Sequence, residues 1–332
     1  MAYDTLVNKT TTNGLPYLQQ YKLRRTALEA LMPNFPFYFL CNHDELGLRE
    51  GKTLRWYRWM NPAANTTAIT EGAIPTGIAH PTQKILDATI SQYGDYMAVS
   101  DLLRDTAPEG MLQAFAKQLG FRAGLSGNNI VRAVLDGEAS AEIALQGTYL
   151  TAKDSRAQAY ILFGRNVMKQ KSGWFEQIVH PYNAFDIVND PSSAGLLDLF
   201  KYTNPEKAAA TNAEERGGEL ARVSGVRIRT STSVKETAGT PTKWRSYLLG
   251  NEAIGTVNLS SQPFNQIADP MKEVFSVKTK IFNDISEANP MGTIGAIVSY
   301  KFTLVAKVLS GPSPIGGSFK YAWTDAPSSI VA

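Results

Sequence analysis

Alternation of apolar and polar side chains is most sustained late in the chain. Ala296, Val298, Tyr300, Phe302, Leu304, Ala306 and Val308 take every second position, with Ser299, Lys301, Thr303 and Lys307 between them. A period of two with one apolar side predicts a long strand with one buried and one wet face. Val226, Ile228, Thr230, Thr232 and Val234 alternate in the same way with Arg227, Arg229, Ser231 and Ser233. That pattern predicts a half-buried strand whose basic side borders solvent or a partner.

A third run, GKTLRWYRWM (51–60), alternates without choosing a side. Leu54, Trp56, Arg58 and Met60 share one face, and Thr53, Arg55, Tyr57 and Trp59 share the other. This run and Lys84–Leu102 both read as extended. They flank NPAANTTAITEGAIPTGIAHPTQ, which predicts a long hairpin-like excursion with a loose tip. On the returning strand Leu86, Ala88 and Ile90 are even-numbered, whereas Met97 and Val99 are odd. A one-residue bulge at Gly94 would reconcile the two phases.

The period lengthens in SDLLRDTAPEGMLQAFAKQLGFRAGLSGNNIVRAVLDG (100–137), the strongest helix signal. Asp105 or Thr106 can cap it, Pro108 suits its first turn, Glu109 complements its dipole, and Gly137 ends it. Leu112, Phe115, Leu119, Ile130 and Val134 form its apolar stripe. Gly124 and Gly127 mark a bend or a close backbone approach. YLQQYKLRRTALEALMPN (17–34) predicts a shorter amphipathic helix with Leu18, Tyr21, Leu28 and Leu31 on its apolar side. FEQIVHP and FDIVNDPSS read as strand followed by turn. Residues 1–16 read as a polar arm. Strands and helices together give an α+β chain without internal repeats.

Composition narrows the possibilities. Charged residues are 19 % of the 332, below the usual quarter, as suits a subunit that buries much of its surface against neighbours. The net charge is +3 and the bases are dispersed, so no dense basic arm exists to condense nucleic acid. Cys41 is the single cysteine, so no intrachain disulfide forms and a reducing compartment is expected. The first residues lack the apolar core of a signal peptide, and Ile294–Leu309 is interrupted by Ser299, Lys301 and Lys307. No membrane association is expected. Three Asn-x-Ser/Thr matches, at Asn8, Asn65 and Asn258, read as chance.

Candidate chemistry is sparse. Gly51-Lys52-Thr53 resembles the end of a phosphate loop, but the required first glycine position holds Leu46, and a β-like run follows instead of a helix. Cys41-Asn42-His43-Asp44-Glu45 gathers ligand types without a second cluster, and it reads as a polar turn. His43, His80 and His180 are the available imidazoles, and none accompanies a nucleophile motif. Asp186/Asp190 and Glu214/Glu215 are ordinary acids in sequence terms. Neither an enzyme nor a cofactor is expected. The Arg–aromatic strip 54–59 leaves two readings. One is a strand clasped between protein neighbours, where Trp, Tyr and Arg are enriched anchors. The other is nucleic-acid binding through Arg55, Arg58, Arg227 and Arg229, with base stacking on the rings.

GKTLRWYRWMNPAANTTAITEGAIPTG followed by DATISQYGDYMAVSDLL resembles the major capsid proteins of tailed bacteriophages, in the phage N-four-type group. YKLRRTALEALMPN is similar to the family's N-terminal helix. DPMKEVFSVK and PMGTIGAIVSYKFTLVAKVL are similar to its closing segment. The resemblance spans most of 17–309, more loosely over 138–290, and 311–332 has no counterpart. It implies an α+β, HK-ninety-seven-like fold. The implied parts are an N-terminal arm and helix (1–49), an extended β-hairpin loop (50–100), a peripheral domain with a long spine helix (101–174), an axial domain (175–290), and a closing strand with C-terminal tail (291–332). It implies hexamers and pentamers in an icosahedral shell around double-stranded DNA, which lies on the inner face without sequence specificity. It places the protein in the virion, after assembly in the bacterial cytoplasm with a portal. No charged helical segment precedes the arm, which points to a separate scaffolding protein. Mapped on this chain, the loop contacts would be Arg55, Trp56, Tyr57, Arg58, Trp59, Thr70, Glu71, Tyr93, Asp95 and Tyr96.

Overall fold

The computed structural model describes residues 25–27, 30, 36–47, 50–59, 64–72, 74, 77, 83–100, 102–103, 111–190, 219–223, 225–259, 275–281, 294–311 and 319–330. Most of the expected helix 17–34 and the caps expected at Asp105, Thr106, Pro108 and Glu109 lie outside them. In chain order the strands are β1 (Asn42–Leu46), β2 (Thr53–Trp59), β3 (Gln83–Thr89), β4 (Ser91–Ser100), β5 (Phe175–Val179), β6 (Glu219–Val223), β7 (Val226–Thr230), β8 (Glu236–Thr237), β9 (Lys243–Leu249), β10 (Ile254–Leu259), β11 (Phe275–Ile281), β12 (Ile294–Val308) and β13 (Tyr321–Pro327). Among the described residues the helices with both ends defined are α1 (Met111–Asp136), α2 (Ala152–Gly164) and α3 (Pro181–Val188).

The strands form three sheets. One has β1-β10-β12-β11 in order with β4 also on β12, the second has β13-β9-β5-β7-β6 with β8 on β9, and the third is the β2–β3 hairpin. The long alternation sits where expected, in β12. Val298, Tyr300, Phe302, Leu304 and Ala306 are buried, and Lys301 and Lys307 are exposed. Against that buried face lies α1, whose 26 residues make a rod of about 39 Å. The same core takes Ile178, Tyr247, Leu249, Tyr321 and Trp323 from the second sheet, so α1 is shared by both sheets. On the other side of the second sheet, α2 and α3 cover Phe175, Val179, Val226, Ile228, Leu248, Ala322 and Ala326.

Local chemistry explains the helix starts. Thr151 and Asp154 form a reciprocal capping box on α2. His180 caps α3 through its side chain, with Pro181 in the first turn. The segment FDIVNDPSS is therefore helix through Val188 where a strand was expected, because His-Pro supplies a helix start immediately after β5. His180 is structural: its ring stacks on Trp244 at 5.1 Å, and burial lowers its pKa.

The stripe of α1 differs from the expected one. Its buried apolar side chains are Ala116, Leu119, Ala123, Val131 and Leu135, of which Leu119 was expected, with Ile130 and Val134 only partly buried beside them. Small residues hold the centre of this face because backbones approach closely there. At Gly120 an added Cβ would collide with the carbonyl of Ala27, which marks a close backbone approach on this helix. The helix runs unbroken through Gly124 and Gly127.

The expected bulge at Gly94 is absent. From Ser91↔Leu304 to Val99↔Ala296 the β4–β12 register is continuous, and the one irregularity falls between Ile294 and Ala296. The strand keeps its phase; the buried side changes instead. Ala88 and Ile90 pack on Leu46, Val257, Leu259 and Val305 on one side of the sheet. Met97 joins the α1 core on the other. Gly94 serves close packing, since a Cβ there would come 2.6 Å from the Tyr300 carbonyl oxygen.

Two more expectations change. Asn42–Leu46 is a strand parallel to β10, not a turn. Arg227 and Arg229 do not border solvent or a partner on an open basic side. Glu176 lies beneath them, with Arg229 Nε at 2.9 Å and Arg227 Nη1 at 3.6 Å. Desolvation, then the neighbouring Arg229, lowers the pKa of Arg227. The strand stops at Thr230, and 231–234 turns away. Sheet membership also cuts across the sequence blocks. β10 and β11 join β12, whereas β13, from the tail without a counterpart, pairs along its whole length with β9.

Candidate inter-subunit interface

The β2–β3 hairpin is in register from Thr53↔Thr89 to Trp59↔Gln83. Its inner face presents Leu54 and Trp56 to Leu46, Ala88 and Val257. Trp56 also donates its indole N–H to Asp44 Oδ2 at 2.5 Å, so it fastens the hairpin to β1. Arg58 lies on this face opposite Lys84 and is half-buried. Trp56 and Arg58 therefore face the subunit's own body.

The outer face is graded. Thr53 and Thr89 hydroxyls meet at 3.1 Å at its base. Next, Arg55 grips Asp87 through two hydrogen bonds, of 2.7 and 3.0 Å. That partner raises the pKa of Arg55 and lowers that of Asp87. Toward the tip come Tyr57 opposite Ile85 and Trp59 opposite Gln83. Tyr57, Trp59 and Ile85 are 56, 59 and 43 % exposed. Beyond the hairpin, residues 64–72 have no regular structure, and Thr70 and Glu71 are exposed. Ile69 and Ile74 are exposed there too.

The expected contacts on β4 divide. Tyr93 stacks on Phe302 with centroids 5.5 Å apart. Asp95 pairs with Arg122 of α1 at 2.7 Å and accepts the Tyr96 amide. Both are engaged within the subunit, whereas Tyr96 is 66 % exposed. Sequence reading missed Ile85 because its apolar neighbours Leu86, Ala88 and Ile90 set the visible phase. Only the register with Tyr57 shows that it completes the outer patch.

This face presents aromatic and aliphatic surface beside a fixed ion pair. It suits contact with another protein surface better than phosphate binding. Of the four arginines in the nucleic-acid reading, Arg55 is held by Asp87, and Arg227 and Arg229 by Glu176. Among the described residues no group of three His, Cys, Asp or Glu side chains could hold a metal ion.

Most of the chain has parallels in fold among solved structures. The capsid of Ralstonia phage GP4 covers 87 % of this chain and 87 % of its own, with a TM-score of 0.61 and 10 % identity. This chain shares the fold of phage capsid proteins. Cyanophage P-SCSP1u's capsid gives 87 % of each chain, TM-score 0.58 and 12 % identity. The SrpI encapsulin complex from Synechococcus elongatus PCC 7942 gives 88 % of each, TM-score 0.51 and 13 % identity. No family model matches the sequence, and no curated protein does. The likeness lies in the backbone path, and at these identities it shows the fold alone.

Proposed function

We propose that this chain is a structural shell subunit, the major capsid protein of a tailed phage. It self-assembles as hexamers and pentamers into an icosahedral shell around packaged double-stranded DNA. In this reading the β2–β3 hairpin is the extended loop that lies over the adjacent copy, and α1 is the spine helix. The sheet around β12 is peripheral and the sheet around β9 is axial. The shell forms in the bacterial cytoplasm with a separate scaffolding protein and a portal, and it becomes the virion capsid. DNA meets the inner face without sequence readout.

The observation that carries this is the outer face of the hairpin. Tyr57, Trp59 and Ile85 form an exposed apolar patch on a two-stranded arm whose opposite face is already packed. Such residues are enriched among interface anchors. Ring contacts between copies are heterologous, so the receiving surface is a different patch of the neighbour. Thr70, Glu71 and Tyr96 are exposed and belong to the same contact set in this reading.

The test is assembly of the purified chain with and without a scaffolding partner, followed by electron microscopy and light scattering. Rings or closed particles are expected. Tyr57→Ala with Trp59→Ala should abolish them while leaving the unfolding midpoint of the free subunit unchanged. A wild-type chain that stays monomeric under every condition overturns the reading, and so does a variant that loses the subunit fold.

A further inference from the structure

Between the second sheet and its two covering helices runs a polar seam. Gln158 of α2, Asn183 of α3, Gln177 of β5, Ser246 of β9 and Thr324 of β13 are all at most 1 % exposed. They are linked: Gln177 Nε2 donates to Ser246 Oγ at 3.2 Å, and Ser246 sits opposite Thr324 in the β9–β13 register. Thr324 Oγ1 accepts from Gln158 Nε2 at 2.6 Å, and Asn183 Nδ2 donates to the Trp244 carbonyl at 3.3 Å. The amide oxygens Gln158 Oε1, Gln177 Oε1 and Asn183 Oδ1 have no protein donor.

Reversing the amides does not remove the problem. Thr324 Oγ1 gives its own hydrogen to the Ile143 carbonyl at 2.6 Å, so it can only accept from Gln158. The Trp244 carbonyl can only accept from Asn183. Turning Gln177 over would pair its oxygen with the Ser246 hydroxyl and leave its nitrogen open instead. Buried acceptors without donors carry a desolvation penalty that folded proteins meet with ordered water.

We propose that this seam is an internal hydration site, in which ordered water donates to Gln158 Oε1 and Asn183 Oδ1 and joins α2 and α3 to the sheet. A cation fits the charge less well. The nearby carboxylates are engaged elsewhere, Asp154 by the Thr151 cap and the Gln146 amide, and Asp186 by Ser329. A buried ion would lack a counter-charge.

A map of the full chain at a resolution that shows ordered water tests this, recorded once in potassium and once in thallium buffer. The expected result is density at hydrogen-bonding distance from each oxygen, as one shared water or as separate ones, with two to four polar neighbours and unchanged by thallium. Thallium-enhanced density would overturn the proposal in favour of a monovalent cation, and a dry seam would overturn it outright. Thermal unfolding of Gln158→Met, which leaves the Thr324–Ile143 bond in place, gives a second reading. A lower Tm is expected, because bridging water loses its partners. A higher Tm would show that the oxygens were unpaired.

Discussion

Two Arg–Asp pairs in this protein have nearly the same geometry and opposite circumstances. Arg55 faces Asp87 across the β2–β3 hairpin, and Arg245 faces Asp325 across β9–β13. Both are bidentate, at 2.7 and 3.0 Å in the first and 2.7 and 2.8 Å in the second. The hairpin pair is about half exposed, with side chains 51 and 46 % accessible, whereas Arg245 is 7 % and Asp325 20 % accessible. Trp323 lies under the second guanidinium at 3.4 Å, and Asp136 from the end of α1 meets it at 3.1 Å. Desolvation opposes the charge of Arg245, but Asp325 and Asp136 more than offset it and raise its pKa. One pair ties the end of α1 to the β9–β13 ladder. The other keeps a strand surface polar and ordered until something covers it.

The sharpest way to break the comparison is to change each arginine. Arg245→Met leaves Asp325 without its cation and Asp136 with only Arg132 at 3.6 Å, and denaturant unfolding should show a loss of about 3–5 kcal/mol. Reversing that pair, as Arg245→Asp with Asp325→Arg, should not restore stability, because the new aspartate faces Asp136. The same reversal at Arg55 and Asp87 should leave unfolding of the free subunit unchanged and impair assembly.

A smaller effect is expected at Tyr247. It donates to Asp136 at 2.6 Å, and burial, then the Asp136 charge, keeps its phenol protonated. Tyr247→Phe should cost about 1.5–3 kcal/mol, read from the denaturation midpoint at constant slope. Least affected is the hairpin pair in isolation. Arg55→Met should lower the stability of the free subunit only slightly at neutral pH, because exposed pairs are screened. The depressed carboxyl of Asp87 works in favour of folding above the ordinary aspartate value of about 3.9. That contribution is lost as pH falls through the lowered value, so Arg55→Met should flatten the acid limb of a pH–stability curve.

Much of this was legible in the sequence where side chains report their own burial. The alternation of β12, the two-faced bulk of β2 and the helical period of α1 all survive in the structure. What failed were inferences about what covers a face. Arg227 and Arg229 looked wet because nothing in their own strand announces Glu176, 51 positions before Arg227. Leu119 of the expected α1 stripe is buried, but Ala116, Ala123, Val131 and Leu135 were passed over for larger neighbours, and Gly120 carries the close approach to Ala27. On the candidate interface, parity separates Tyr57 and Trp59 from Trp56 and Arg58 without telling which face is outward. The inward engagement of Trp56 through Asp44, and of Asp95 through Arg122, depends on tertiary partners that spacing does not encode.

The short path from β3 through Ile90 into β4 constrains how the hairpin can move. Its even-numbered side chains are pinned to one surface of the sheet at Ala88 and Ile90, and its odd-numbered ones to the opposite surface at Met97 and Val99. A ribbon clamped on opposite sides at two points cannot roll about its own axis. It can only flex like a leaf spring near Ile90, whose amide is still tied to the Lys52 carbonyl at 2.9 Å. The arm can rise and fall with the curvature of whatever it rests on, while the side carrying Tyr57 and Trp59 always faces the same way.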